Sequence, residues 1–145
     1  MFKHVLLPTD GSPASAEAIQ KIIKFASEMQ AAVSALHVMP EFNFLLFEPM
    51  ILKNAKAQFL KENLAQSSQY LAVVQAAAKD AGVACETVSV TSDHPHEAIL
   101  KVAEERGCDL IAMASHGRKG IRGFLLGSET QKVLAHSSLP VLVFR

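Results

Sequence analysis

Apolar positions along the chain follow two periods, one of alternating or continuous short runs and one of helical spacing, and the two take turns. Residues 3 to 8, "KHVLLP", are a short apolar run that ends in the turn residues "TDGSP". There Ser12 is placed to cap a helix whose first position is Pro13. Ala18, Ile19, Ile22, Ile23 and Ala26 then share one face of a helix predicted over about 14 to 30. "AVSALHVM", residues 32 to 39, is a second strand. A long helix is predicted from about 53 to 81, with Leu60, Leu64, Leu71, Val74 and Ala78 along one side and Gly82 as its C-terminal cap. "CETVSV" is the third strand, and "SDHPHEAILKVAEERG" is a turn, a helix opened by Pro95 and a terminating Gly107. "DLIAMAS" is the near-continuous apolar run of a strand buried on both faces. A last helix runs from Ser128 to about Ser137, and Pro140 introduces "VLVF", the fifth strand.

Strand and helix alternate throughout, so the expected fold class is α/β, a doubly wound parallel sheet with right-handed crossovers and helices on both faces. Such sheets bind ligands beyond the carboxyl ends of their strands, where neighbouring connections leave on opposite faces. Two loops stand at such ends: "PTDGS" after the first strand and "SHGRKGIRGFLLGS" after the fourth. They meet only if strands one and four are neighbours, as in the order 3-2-1-4-5, which periodicity alone does not establish.

Composition narrows this picture. A chain of 145 residues, 50% hydrophobic, suits one compact domain over 1–145 with a real core. Acidic and basic residues balance at 14 each, so no global field favours nucleic acid or an anionic membrane, and any anion site must be local. Cys85 and Cys108 have no paired or CxxC spacing, the apolar run in "MFKHVLLPTDG" is shorter than expected of a signal peptide, and no apolar run approaches the roughly 20 residues of a membrane span. The expectation is a soluble protein of the cytoplasm.

The loop after the fourth strand holds Gly117, Gly120, Gly123 and Gly127 with Arg118, Lys119 and Arg122 between them. Amides at a helix N-terminus lack intrahelical partners and lie at the positive end of the dipole, which suits an anion at Gly127 and Ser128. The loop is neither a Walker A motif, which needs Lys between the last Gly and Ser, nor GxGxxG. From the residues alone, a phosphate cradle and a solvated basic connector both remain open.

Gly117, nine residues, then Gly127-Ser128 resembles the later part of the G-2x-G-9x-G-[S/T] signature of the universal stress protein family, in its ATP-binding branch. "HVLLPTDGS", the "LHV" closing strand two, "DLIAMASHGRKG", "LLGSETQKVL" and "PVLVF" fall in that family's order, over nearly the whole chain. The resemblance implies the strand order 3-2-1-4-5, a homodimer through the C-terminal strand, and ATP or AMP as ligand, with Mg2+. It implies that Pro8, Thr9 and Asp10 line the nucleoside, with Asp10 facing ribose or metal, and that the Val38 backbone meets the adenine edge. His116 and Gly117 fall on the ribose and phosphate side, and Gly127, Ser128, Glu129 and Thr130 surround the phosphates. The chain departs from the signature at its first glycine, which is Ala114 here. A left-handed backbone at Ala114 would cost roughly 1 to 2 kcal/mol, whereas an extended one costs nothing. Glu129 suits a helix first turn but repels phosphates unless it points outward or shares a metal.

Other candidates have simpler explanations. "DHPHE", residues 93 to 97, suggests zinc, yet a helix start explains it and no further Cys or His completes four ligands. His37 reads as a core-edge residue, and His4 and His136 carry no signal. Residues 40 to 52, "PEFNFLLFEPMIL", crowd large apolar side chains into a connection; they are read as an extension of the second helix, a surface packed on a dimer partner or a lid over the nucleotide, with packing favoured over a lid. No paired carboxylates, Ser-His-Asp set or Cys-His couple is visible; Asp10 and His116 are the credible groups near the phosphates, and slow ATP hydrolysis or autophosphorylation stays open as an alternative. The leading expectation is an ATP-binding stress-response module. The competing ones are a dimeric scaffold without nucleotide and, less consistent with the glycine loop, an FMN-type redox module.

Overall fold

A computed structural model describes residues 1–42, 49–116 and 126–145, with backbone alone for 49–52. The elements are β1 (His4–Pro8), α1 (Pro13–Met29), β2 (Ala32–Met39), α2 (Pro49–Asp80), β3 (Cys85–Thr91), α3 (Pro95–Glu105), β4 (Leu110–Ala114), α4 (Ser128–His136) and β5 (Val141–Phe144). The strands form one five-stranded sheet in the order β3-β2-β1-β4-β5, with every pairing parallel. This is the doubly wound α/β fold, in the order implied by the resemblance.

β1 lies at the centre because it is apolar on both faces. Val5 and Leu7 join Val33, Ala35, Leu110 and Ala112 under α1 and α2. Leu6 joins Leu36, Ile111 and Met113 under α3 and α4. Val5, Leu6 and Leu7 are fully buried, and burial of each contributes about 1.5–3 kcal/mol. Helix starts follow the proline signals. Pro13 opens α1 after Ser12, whose Oγ accepts from the Ser15 amide at 3.1 Å. Pro95 opens α3, but its N-cap His94 gives no side-chain cap.

The second helix begins at Pro49 rather than 53, and of the residues along its apolar side Leu60 and Leu64 are 43% and 55% exposed. At 32 residues it runs about 48 Å, longer than the strands it covers, so only its second half reaches the sheet. Ser67, Leu71, Val74 and Ala78 form the buried stripe there. Residues 43–48 of the apolar connection lie outside the described residues, and its packing with them.

At the amino ends of the strands a polar chain satisfies the fully buried Ser34. Its Oγ donates to Glu86 Oε1 at 2.6 Å and lies 2.7 Å from His4 Nε2. Among the described residues no helix is long and apolar enough to cross a membrane.

Candidate functional site

β1 and β4 are adjacent and parallel, with Val5 opposite Leu110 and Leu6 opposite Ile111. Their carboxyl ends therefore open at the same edge of the sheet. From there α1 packs on one face and α4 on the other. This is the switch point at which doubly wound sheets leave a crevice.

The first loop is held by its own polar groups. The Thr9 amide donates to the Leu36 carbonyl at 2.8 Å, extending the ladder to β2. Thr9 Oγ1 lies 2.7 Å from Ser15 Oγ and accepts from the Gly11 amide at 3.3 Å. Asp10 Oδ1 accepts from the Ser12 amide at 2.9 Å, an Asx turn that sets its carboxylate beside the start of α1. Gly11 has φ +74°, and a Cβ there would run into the Tyr70 ring. Tyr70 in turn meets the His37 ring edge-on, with centroids 5.1 Å apart and planes at 81°. Pro8 ends β1 and Val38 stands near the end of neighbouring β2, both half-buried.

The second loop is closed at its base. The Ser115 amide donates to Phe144 O at 2.8 Å, and the Ser115 carbonyl accepts from the Gly127 amide at 2.7 Å. Ala114 is the last residue of β4 and does not have a positive φ, so the alanine at the signature's first glycine carries no left-handed strain. Gly127 is also extended, with φ −60° and ψ 153°, and caps α4 without a side-chain bond. The α4 ladder begins with the Gln131 amide donating to Gly127 O at 3.0 Å. The amides of Ser128, Glu129 and Thr130 therefore have no intrahelical acceptor. His116 Nδ1 lies 2.9 Å from Ser115 Oγ, while its Nε2 is buried with no hydrogen-bond partner among the described residues. A buried nitrogen of this kind is open to a water, an ion or a ligand. Gly117, with the rest of residues 117–125, lies outside the described residues.

Two side chains of the α4 first turn are engaged elsewhere. The Thr130 hydroxyl, 3% exposed as a residue, donates to Ala114 O at 3.0 Å and fastens α4 to β4. Its amide, not its hydroxyl, is left for an anion. Glu129 Oε2 accepts from the His96 amide at 2.9 Å and meets His96 Nδ1 at 3.2 Å, and its Oε1 accepts from Lys132 Nζ at 3.2 Å. Burial pushes the Glu129 carboxyl up, but the Lys132 and His96 hydrogen bonds together outweigh it and hold the group below the usual carboxylate range. The carboxylate is shared between the start of α3 and Lys132 of its own helix.

The remaining candidates give no nucleophile or metal centre. Burial pushes the Cys108 thiol up to about 11 and raises that of Cys85, so neither is a thiolate at neutral pH. In "DHPHE", Asp93 accepts from the Glu41 amide at 3.0 Å and His96 is taken by Glu129. Among the described residues no group of three His, Cys, Asp or Glu could hold a metal. His37 is buried against Tyr70, a core-edge position. Two residues that shape the site escaped the sequence: Tyr70, whose only signal was its place beside the Ser67–Leu71–Val74 stripe, and His96, which a helix start had explained.

The profile of the Universal stress protein family matches residues 1–145. A universal stress protein of Bacillus subtilis is 33% identical over 153 aligned residues, covering 100% of both chains. One of Methanocaldococcus jannaschii is 31% identical over 156 residues, covering 100% of this chain and 96% of that one. A solved structure of the latter superposes with a TM-score of 0.83 at 29% identity, over 99% and 95% of the two chains. Two solved members share the fold at lower identity and carry nucleotides. One is in complex with cAMP, at 24% identity and TM-score 0.70 over 99% and 97% of the chains. The other, from Archaeoglobus fulgidus, is in complex with dAMP, at 17% and 0.64 over 99% and 98%.

Proposed function

The chain belongs to the universal stress protein family, and on that premise we propose that it binds ATP, or AMP, in the crevice between β1 and β4 and acts as a nucleotide-dependent module of the cytoplasmic stress response. The observation that carries this reading is the first turn of α4: three amides without intrahelical acceptors stand at the switch point, beside the buried Nε2 of His116. The adenine nucleotides bound by two members of the fold agree with it.

In this reading the amides of Ser128, Glu129 and Thr130, the Ser128 hydroxyl and His116 receive the phosphates. Gly127 and Gly117 let the main chain come close, and Ala114 borders the sugar. The tautomer of His116 that accepts the Ser115 hydroxyl at Nδ1 and carries its proton on Nε2 is the one that donates to a phosphate oxygen. Pro8, Thr9 and Asp10 line the nucleoside, and the Val38 backbone meets the base. A helix terminus supplies only about 0.3–1 kcal/mol per exposed charge, whereas micromolar affinity needs about 8 kcal/mol. The base and sugar contacts are therefore as necessary as the phosphate donors. Mg2+ would be held chiefly by the phosphate oxygens with Asp10, since this ion keeps several waters and needs one or two carboxylates.

β5 has β4 as its neighbour in the sheet and is the last strand on that side. An apolar edge of this kind invites pairing with a second chain, which supports a homodimer through β5.

The test is to purify the protein, denature it and identify released small molecules by mass spectrometry, then to titrate the emptied protein with ATP and AMP while following Tm. Release of adenine nucleotide or a rise in Tm with ligand is expected. An empty protein whose Tm ignores both nucleotides points instead to the dimeric scaffold, and released flavin to a redox module. A labelled-ATP time course separates binding from slow hydrolysis or autophosphorylation.

A further inference from the structure

The most unusual feature of the crevice is a carboxylate in the first turn of the helix assigned to phosphate. Glu129 is the second residue of α4, where a free carboxylate is drawn to its own helix's unpartnered amides and positive dipole. In that posture it would occupy the anion site or repel an incoming phosphate. Instead the carboxylate spans to the neighbouring helix. α3 has no side-chain cap of its own, and its His96 amide, which has no intrahelical acceptor, takes Glu129 Oε2 at 2.9 Å. The His96 ring closes on the same oxygen at 3.2 Å, 16% exposed on its side chain. From α4, Lys132 takes the other oxygen, and the His136 ring lies 5.9 Å from that of His96. Glu129 thus serves as the missing cap of α3.

We infer that His96 is a positioning residue for nucleotide binding: with the open start of α3 it draws Glu129 away from the first turn of α4, and so keeps that turn's amides available to a polyphosphate. The inference rests on the phosphate placement proposed above and extends it to a residue on another helix that touches no ligand.

The consequence is a pattern of opposite signs. Releasing Glu129 harms ligands in proportion to their phosphate charge, whereas neutralising it does not. The experiment measures Kd for adenosine, AMP and ATP with magnesium at fixed ionic strength on the full chain and three variants. His96→Pro removes both the amide and the ring nitrogen at a first-turn position that tolerates proline; Glu129→Gln removes the charge; the third variant combines them. His96→Pro is expected to weaken ATP on the order of tenfold, about 1.4 kcal/mol, AMP less, and adenosine by under about twofold. Glu129→Gln leaves ATP affinity equal or tighter although it lowers Tm, and the double variant returns ATP to the Glu129→Gln value. If His96→Pro fails to fold, His96→Phe, which keeps the amide and an aromatic ring but removes the ring nitrogen, tests the same order with smaller shifts. Equal losses for all three ligands, no loss on His96 substitution, or a Glu129→Gln loss as large as that of His96→Pro would overturn the inference. A parent protein that binds none of the three ligands would instead remove the proposed function, so the two failures are distinct.

Discussion

Gly11→Ala tests the coupling between the first loop and α2. Two costs follow from the geometry. At φ +74° an alanine pays roughly 1–2 kcal/mol for the left-handed conformation. Its Cβ would also enter the Tyr70 ring, and that ring is backed edge-on by His37. Relief therefore needs a concerted shift rather than a rotamer hop, an overpacking cost of about 1–3 kcal/mol. Together these give a loss of about 2–5 kcal/mol, a large share of the about 5–15 kcal/mol typical of folded proteins. Urea denaturation of the parent, Gly11→Ala, Tyr70→Ala and the double variant reads it. The steric part should vanish when the ring is gone, leaving the backbone part, so the cycle should return a coupling of about 1–3 kcal/mol. Because Thr9 and Asp10 are bonded into the same turn, nucleotide affinity should fall in Gly11→Ala as well. A Gly11→Ala variant within about 0.5 kcal/mol of the parent, or strict additivity with Tyr70→Ala, would refute the packing argument.

Gly127→Val should abolish ATP binding with little change in Tm, because φ −60° and ψ 153° suit a β-branched residue. Isothermal titration and thermal melts on one preparation check this, and retained affinity would move the phosphates elsewhere. Ala114→Gly should bind ATP equally or more tightly while losing about 0.5–1 kcal/mol of stability, since the extended strand end gains only flexibility. A clear loss of affinity on titration would show that the methyl group helps. Acid denaturation monitored by circular dichroism should show the Glu129 contact. Its carboxyl lies below the ordinary 4.5 in the folded protein, so its stabilisation is full above that value and is lost as pH falls through the folded one. Glu129→Gln should flatten that acid limb, and an unchanged limb would mean that the contact adds nothing.

Much of the architecture was legible from local rules. Pro13 and Pro95 mark their helix starts, Gly82 and Gly107 mark two helix ends with positive φ, and the doubly apolar β1 and β4 announce a parallel sheet. The strand order needed the family resemblance, since no local signal says which strand lies beside β1. The exposure of Leu60 and Leu64 was not legible, because helical spacing reports a face, not whether a sheet extends far enough to cover it. At the site, the residues of the two loops were legible as motifs, but the direction of their side chains was not. Thr130 and Glu129 look alike in sequence as phosphate neighbours. One is fastened to the Ala114 carbonyl and the other to the start of α3, and both outcomes depend on a neighbour more than a dozen residues away. Tyr70 was illegible for the same reason, since its partner Gly11 belongs to a different element.

The pairing of β1 with β4 also governs when the crevice can exist. His4 and Asp109, which bond beside that seam at 3.0 Å, are 105 residues apart in the chain. A growing polypeptide can dock β1, α1, β2, α2 and β3 long before β4 leaves the ribosome, yet one wall of the crevice arrives only with the final third. Pairings so distant in sequence are of the kind that slow folding, because the loop must close before they form. Any small molecule seated there would thus recognise finished molecules alone, and its protection would reward completion of the chain, not its early collapse.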